Sequence, residues 1–204
     1  IGAVNSSFAA FTVDSAAPAA PSLALASDSG SSSSDRITNN TTINVSGVEA
    51  GASWEYSTDS GSTWSAGTGS TFSVAAGSYG AGQVRVRQSD QAGNIGAVNS
   101  SFAAFTVDSA APVFQSAATS TDGTKVVLTY GEVLDAVTAS SGAFAVVVAN
   151  ATRTVSSVAV VGSTVELTLS SPVANAQVVT VAYTDPTSGN DANAVQDVAG
   201  NDAA

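Results

Sequence analysis

Two short strings carry the most suggestive chemistry in this chain: Asp90-Gln91-Ala92-Gly93-Asn94 and Asp197-Val198-Ala199-Gly200-Asn201, which end two otherwise dissimilar halves. Asp offers carboxylate oxygen, Asn offers carbonyl oxygen, and Gly lets the backbone turn sharply between them. Those are the ingredients of a loop that wraps a hard divalent ion such as Ca2+. The same residue types also end strands in plain turns, bonding to their own backbone, and residue type alone favours neither reading. More acids gather at comparable places. Asp14 and Asp108 each precede Ser-Ala-Ala-Pro, Asp28 and Asp35 bracket a Gly/Ser-rich loop, and Asp122 lies 94 positions after Asp28. Loops at one end of a β-sandwich cluster in space, so Asp28, Asp35, Asp90 and Asp108 or Asp14 are expected to converge near a module end, where an ion would relieve their repulsion.

The tract TDPTSGNDANAVQDVAGND adds Asp185, Asn190, Asp191 and Asp197. It lacks the Asp-x-Asp-x-Asp-Gly order and closing Glu of an EF-hand, and a solvated polar loop is the alternative. Glu132 and Asp135 in YGEVLD are the residue types of a glycosidase pair, but no aromatic-lined cleft accompanies them, and no catalytic residue is assigned. Composition narrows the chemistry further. The chain has no His, Cys or Met, so imidazole acid/base catalysis, thiol chemistry and soft-metal ligation have nothing to work with. Sixteen acidic residues against five basic ones, a net charge of −11, argue against nucleic acid as a partner. No apolar run approaches the roughly 18 residues that cross a bilayer as a helix.

The elements that must position these acids read as strands. ITNNTTINVSG (37–47), TWSAGTGSTFSV (63–74), QVRVRQSD (83–90) and SSFAAFTV (100–107) are β-branched and punctuated by Gly, Ser and Asn. In QVRVRQ, Val84 and Val86 face a core while Arg85 and Arg87 face water. WEYSTDSGSTW reads as a hairpin turning at Thr58-Asp59-Ser60-Gly61, with Trp54 and Trp64 as core anchors. After Val113 the sequence changes character, and Gly162-Ser163 is expected to join VSSVAVV to TVELTL as a tight hairpin.

Residues 1–18 recur letter for letter at 95–112, offset by 94 positions, the signature of an array of near-identical modules. The resulting expectation is all-β: two tandem immunoglobulin-like β-sandwich domains in an elongated arrangement. Residues 1–14 are the last strand of a preceding repeat, 15–111 the first domain and 112–204 the second. The strand at 1–13, without its own module, is expected to fray or to pair with another molecule.

With SDSGSSSSDRITNNTTINVSG, WEYSTDSGSTW, VRVRQSDQAGN and the VDSAAP linker, the first module resembles the bacterial immunoglobulin-like repeats of very large surface adhesins. The second, with TDGTKVVLTYGEVLD, VVGSTVELTL and VTVAYTDPTSGNDANAVQDVAGN, resembles the SwmB-type repeat of giant RTX-type proteins exported by type I secretion. The resemblance implies a non-enzymatic, calcium-stiffened extender on the surface of a Gram-negative bacterium, holding a ligand-binding tip for adhesion and biofilm formation. It implies interdomain Ca2+ on Asp14, Asp28, Asp35, Asp90 and Asp108, and more loosely on Asp185, Asp191 and Asp197; Asn94 and Asp122 are further candidate ligands by residue type and position alone. Neighbouring repeats of the same chain are its expected partners, with the chain itself monomeric and not inserted in a membrane. The alternative is that the second domain grips a sugar, peptide or partner surface through exposed Tyr130, Phe144 and Tyr183; these are instead expected to be mostly buried.

Overall fold

The computed structural model describes Gly2 and residues 9–203. Among them every regular element is a strand, apart from one 3-10 turn at Ser141–Ala143. In chain order the strands are β1 (Ser22–Leu25), β2 (Ile37–Thr38), β3 (Thr42–Ser46), β4 (Ser53–Ser57), β5 (Ser65–Ala66), β6 (Thr71–Ser73), β7 (Gly77–Tyr79) and β8 (Arg85–Ser89). They continue with β9 (Phe105–Val107), β10 (Phe114–Thr119), β11 (Lys125–Tyr130), β12 (Phe144–Val148), β13 (Ala151–Arg153), β14 (Val155–Val161), β15 (Thr164–Leu169) and β16 (Val179–Tyr183). The all-β, sandwich-type expectation holds. Two compact units make up the chain: the first is Ile1–Ala24, Asn44–Phe72 and Gly80–Ala103, the second Leu25–Ile43, Ser73–Tyr79 and Ala104–Ala204.

Within the first unit β4 is the centre of a sheet of order β5-β4-β8. Alternation drives the packing: Val84 and Val86 are buried, and Trp54, Phe72 and Phe102 fill the core with them. Tyr56 stacks on Phe72 with ring centroids 4.1 Å apart, and Trp54 donates its indole N–H to the carbonyl of Gly69 (3.1 Å). Buried Gln88 has both ends satisfied, donating to the carbonyls of Ala19 and Gly47 and accepting from the N–H of Glu49. The turn after β4 is tied by Asp59, whose carboxylate accepts from Ser57, Thr63 N–H and the Thr63 hydroxyl. Two expectations need correction here. Trp64 is only half-buried and lies under the guanidinium of Arg87, 4.1 Å from its centroid. Arg87 is therefore not simply solvated, since it also pairs with Glu55 at 2.7 Å.

Within the second unit three sheets form: β2-β9-β7, with β2 parallel to β9; β10-β11-β15-β14; and β13-β12-β16. The last two share one core, in which Leu128, Val165 and Leu167 from the four-stranded sheet meet Phe144, Val146 and Val148 from the three-stranded one. Gly162, at φ 62°, makes the expected tight link between β14 and β15, and Val165, Leu167 and Leu169 face inward in strict alternation. Tyr130 and Phe144 are buried and Tyr183 is half-buried.

The long extended stretches read from the sequence are interrupted. ITNNTTINVSG is two strands in different sheets, because the Asn40 side chain accepts from Thr42 N–H and turns the chain between them. Of the strand expected at 1–13, residues 1 and 3–8 lie outside the described residues. Residues 9–13 carry no strand, and Phe11 and Val13 are 81 % and 83 % exposed.

Candidate metal centre

The turn Asp197–Asn201 is built by its two end residues. Asn201 N–H donates to Oδ1 of Asp197 (2.9 Å), its side-chain amide donates to Oδ2 (2.8 Å), and Asp197 N–H donates back to the Asn201 carbonyl (3.1 Å). Gly200 takes φ 86°, the left-handed region that closes so short a loop without a Cβ penalty. The same Asn201 amide nitrogen also donates to the main-chain carbonyl of Asp108 (2.9 Å). Asp108 thus enters the turn by its backbone, leaving its carboxylate to face the loop.

That carboxylate joins two others. One oxygen each from Asp108, Glu132 and Asp197 lie within 4.8 Å of one another, in the one such acidic group among the described residues. Asp197 is buried, while Asp108 and Glu132 are partly so. Burial, then the charges of Asp197 and Asp108, push the Glu132 carboxyl above its ordinary range, and no cation is among the groups that act on it. Like charges this close repel by ~3 kcal/mol per pair at the effective dielectric near a protein surface. The donor set is entirely hard oxygen, three carboxylates beside a kinked backbone, which suits Ca2+.

A loop of the second unit lies against this turn from another side. The Ser29 hydroxyl donates to the Ala199 carbonyl (2.6 Å), Asn39 Nδ2 donates to the Gly200 carbonyl (2.9 Å), and Ser31 N–H donates to Oδ2 of Asp135 (3.2 Å). Gly30, at φ 87°, approaches so closely that a Cβ there would lie 2.3 Å from the Val198 carbonyl oxygen. Asp135 is buried, with Ser31 and Val137 N–H groups satisfying its two oxygens. It is a clamp for the loop, and Glu132 belongs to the acidic trio instead.

In the first unit the turn Asp90–Asn94 repeats the geometry bond for bond. Asn94 N–H reaches Oδ1 of Asp90 (2.8 Å), its side chain reaches Oδ2 (2.8 Å), Asp90 N–H returns to the Asn94 carbonyl (3.1 Å), and Gly93 has φ 91°. Here too the Asn94 amide nitrogen donates to a linker carbonyl, that of Asp14 (3.1 Å). The Asn94 bonds, its side-chain amide foremost, hold the Asp90 carboxyl below its usual range.

The remaining acids make local turns. Asp35 accepts from Ile37 N–H, Asp185 from Thr187 N–H and Asp191 from Asn193 N–H. Asp122, exposed between β10 and β11, accepts from Ser120 and from Thr124 twice, which lowers its carboxyl to about 2. Asp28 accepts from Arg36 N–H through Oδ2, while its Oδ1 is buried with no hydrogen-bond partner. So the structure unites Asp108 and Asp197 and adds Glu132, which sequence reasoning weighed as a glycosidase acid against a solvated or metal-binding residue and did not place with them. One signal was available: Gly131-Glu132 follows the end of β11 much as Gly47-Val48-Glu49 follows β3, placing an acid at a strand end in both modules.

Residues 12–109 match the family model of the bacterial Ig-like domain. Residues 107–188 match the SWM repeat, described as "Putative flagellar system-associated repeat". No curated protein matches the chain. Both matches fit the two kinds of module read from the sequence, an Ig-like one followed by an SWM-like one, and together they suggest a repeat protein of the surface or extender type.

Proposed function

We propose that the chain is a non-enzymatic extender segment of a large bacterial surface adhesin, and that Ca2+ held by Asp108, Glu132 and Asp197 fixes the linker to the turn that receives it. The observation that carries this reading is the meeting of three carboxylates within 4.8 Å of one another, one of them buried, at the linker between two matched repeat modules. A bound divalent ion converts their repulsion into attraction and ties the linker, the β11 end and the turn together. Extracellular modules bind calcium at about 10⁻⁴ to 10⁻³ M, which would leave the linker loose in a calcium-poor cytosol and fixed outside the cell. Projection of a ligand-binding tip for adhesion and biofilm formation is the role such a rod serves. The second module as a ligand grip has less support: the aromatic-lined cavity of Phe114, Leu128, Tyr130, Val181 and Tyr183 is about 200 Å3, below the roughly 300 Å3 at which small-molecule sites begin, and the larger cavity of about 360 Å3 between Thr119 and Gln177 has no aromatic or charged side chain in its lining.

Calorimetric titration with Ca2+, with thermal unfolding in calcium and in chelator, tests the proposal on the intact chain and on Glu132→Gln. Saturable binding that raises the melting temperature and is lost in the variant supports it. Absence of binding at millimolar calcium overturns the ion's part, and saturable binding of a glycan or peptide would replace the spacer reading.

A further inference from the structure

We infer that the turn Asp90–Asn94 is a docking surface for the 27–39 loop of a second copy of the Ig-like module, set ahead of the linker Asp14-Ser-Ala-Ala-Pro. The inference rests on the extender reading but not on the ion. Its basis is that the two turns are equal in backbone and unequal in cover. At Asp197–Asn201 the loop residues Ser29, Gly30 and Asn39 all address main-chain atoms: the carbonyls of Ala199, Val198 and Gly200 respectively. Main-chain recognition takes no account of side chains, so a turn of the same geometry offers the same acceptors whatever its sequence.

Asp90–Asn94 is such a turn, by its matched hydrogen bonds and its left-handed glycine. Its corresponding carbonyls, those of Ala92, Gln91 and Gly93, accept no hydrogen bond from any described residue, and the three residues are exposed. Their counterparts Ala199 and Gly200 are buried. A Cβ on Gly93 would meet nothing within 4 Å, whereas one on Gly200 would lie 2.8 Å from the Gly30 nitrogen. The linker is positioned alike at both turns, through the carbonyls of Asp14 and Asp108. Since residues 1–18 repeat 95–112, the module whose final strand and linker those residues duplicate is the Ig-like one, and its own 27–39 loop is the occupant that fits.

The test lengthens the whole chain by one Ig-like module, repeating residues 15–108 once in tandem. The chain contains no cysteine, so thiols can be placed against a silent background. One replaces Ser31 in the added leading copy and the other replaces Gln91 in the module after it. Ser31→Cys with Val198→Cys in the unlengthened chain serves as the reference for a short thiol–thiol cross-linker, in calcium and in chelator. We expect intramolecular cross-linking within about twofold of the reference, reduced at least fivefold when Gly30→Ala is added to the leading copy. A reference pair that reacts while the new pair does not overturns the inference, as does failure of both pairs, which would remove its template. Cross-linking that persists without any calcium effect on melting would sink the ion proposal alone, so the two failures are separable.

Discussion

Asn94 and Asn201 hold the same post in two unlike modules: each closes its turn onto an aspartate through main chain and side chain together, and each spends the same amide nitrogen on the carbonyl of a linker aspartate, Asp14 or Asp108. One side chain therefore couples each turn to the linker segment that reaches it. Because Asn201 is buried and Asn94 partly exposed, Asn201→Ala should cost about 2 kcal/mol and Asn94→Ala about 1 kcal/mol of unfolding free energy. Denaturant melts of the two variants check the order, and equal losses would mean that burial does not set the value of the bond.

Glu132→Gln removes one of three mutually repelling charges while keeping shape. In chelator the variant is expected to be more stable than the parent by about 1 kcal/mol, the repulsion being discounted for the partial exposure of the site. In calcium the order reverses, because a site with Kd tenfold below the free ion adds about 1.4 kcal/mol to the parent. Thermal unfolding under both conditions reads the crossing, and a variant that is less stable in both would show Glu132 to be a packing residue.

Acidity separates the carboxylates by direction. Glu132 and Asp202 are raised, chiefly by burial; their stabilising effect is present below the unfolded-state value and lost as pH rises through the folded one. Asp59 and Asp122 are lowered to about 2 by their turn hydrogen bonds; theirs is present above the unfolded value and lost as pH falls from about 4 towards 2. In chelator the melting temperature should therefore rise on acidification from neutrality into the carboxylate range and then fall. Calcium should flatten or invert the upper limb, since protons compete with the ion for Glu132. A monotonic curve in chelator would contradict the assignment of Glu132.

Gly30 and Gly93 share a left-handed backbone but differ in neighbours, with the Val198 carbonyl against the first and open space around the second. Ala at either position costs about 1 kcal/mol for the conformation, and Gly30→Ala must in addition push the loop off its turn, for a total of about 3 kcal/mol. The gap between the two variants, measured by chemical denaturation, reports the clasp itself.

The fold was legible where alternation is strict. β15 stands where Val165, Leu167 and Leu169 alternate with Thr164, Glu166 and Thr168, and Gly162 turns where the Gly-Ser pair falls. It was less legible where polar side chains overrule the extended run, as when Asn40 splits 37–47 into β2 and β3. At the candidate site the repeated Asp…Gly-Asn string pointed to the two turns. Pairing Asp197 with Asp108 required the Asn201 bond across the linker, and Glu132 required β11 to end beside both. None of these contacts is local in sequence, so single-chain periodicity carries no trace of them. Asp28 and Asp35 each accept from a backbone N–H of their own loop, and Asp28 keeps its second oxygen buried without a hydrogen-bond partner.

The clasp at Asp197–Asn201 grips carbonyl oxygens of a five-residue bend with a glycine in fourth place, and adds one side-chain contact, the Asp135 carboxylate on Ser31 N–H. If Asp90–Asn94 is clasped alike, gene duplication, deletion or shuffling at this boundary can append a copy, drop one or exchange one domain type for another with little coevolution of side chains. The length of such a protein, and the kind of domain it ends in, can drift quickly while its joints stay the same.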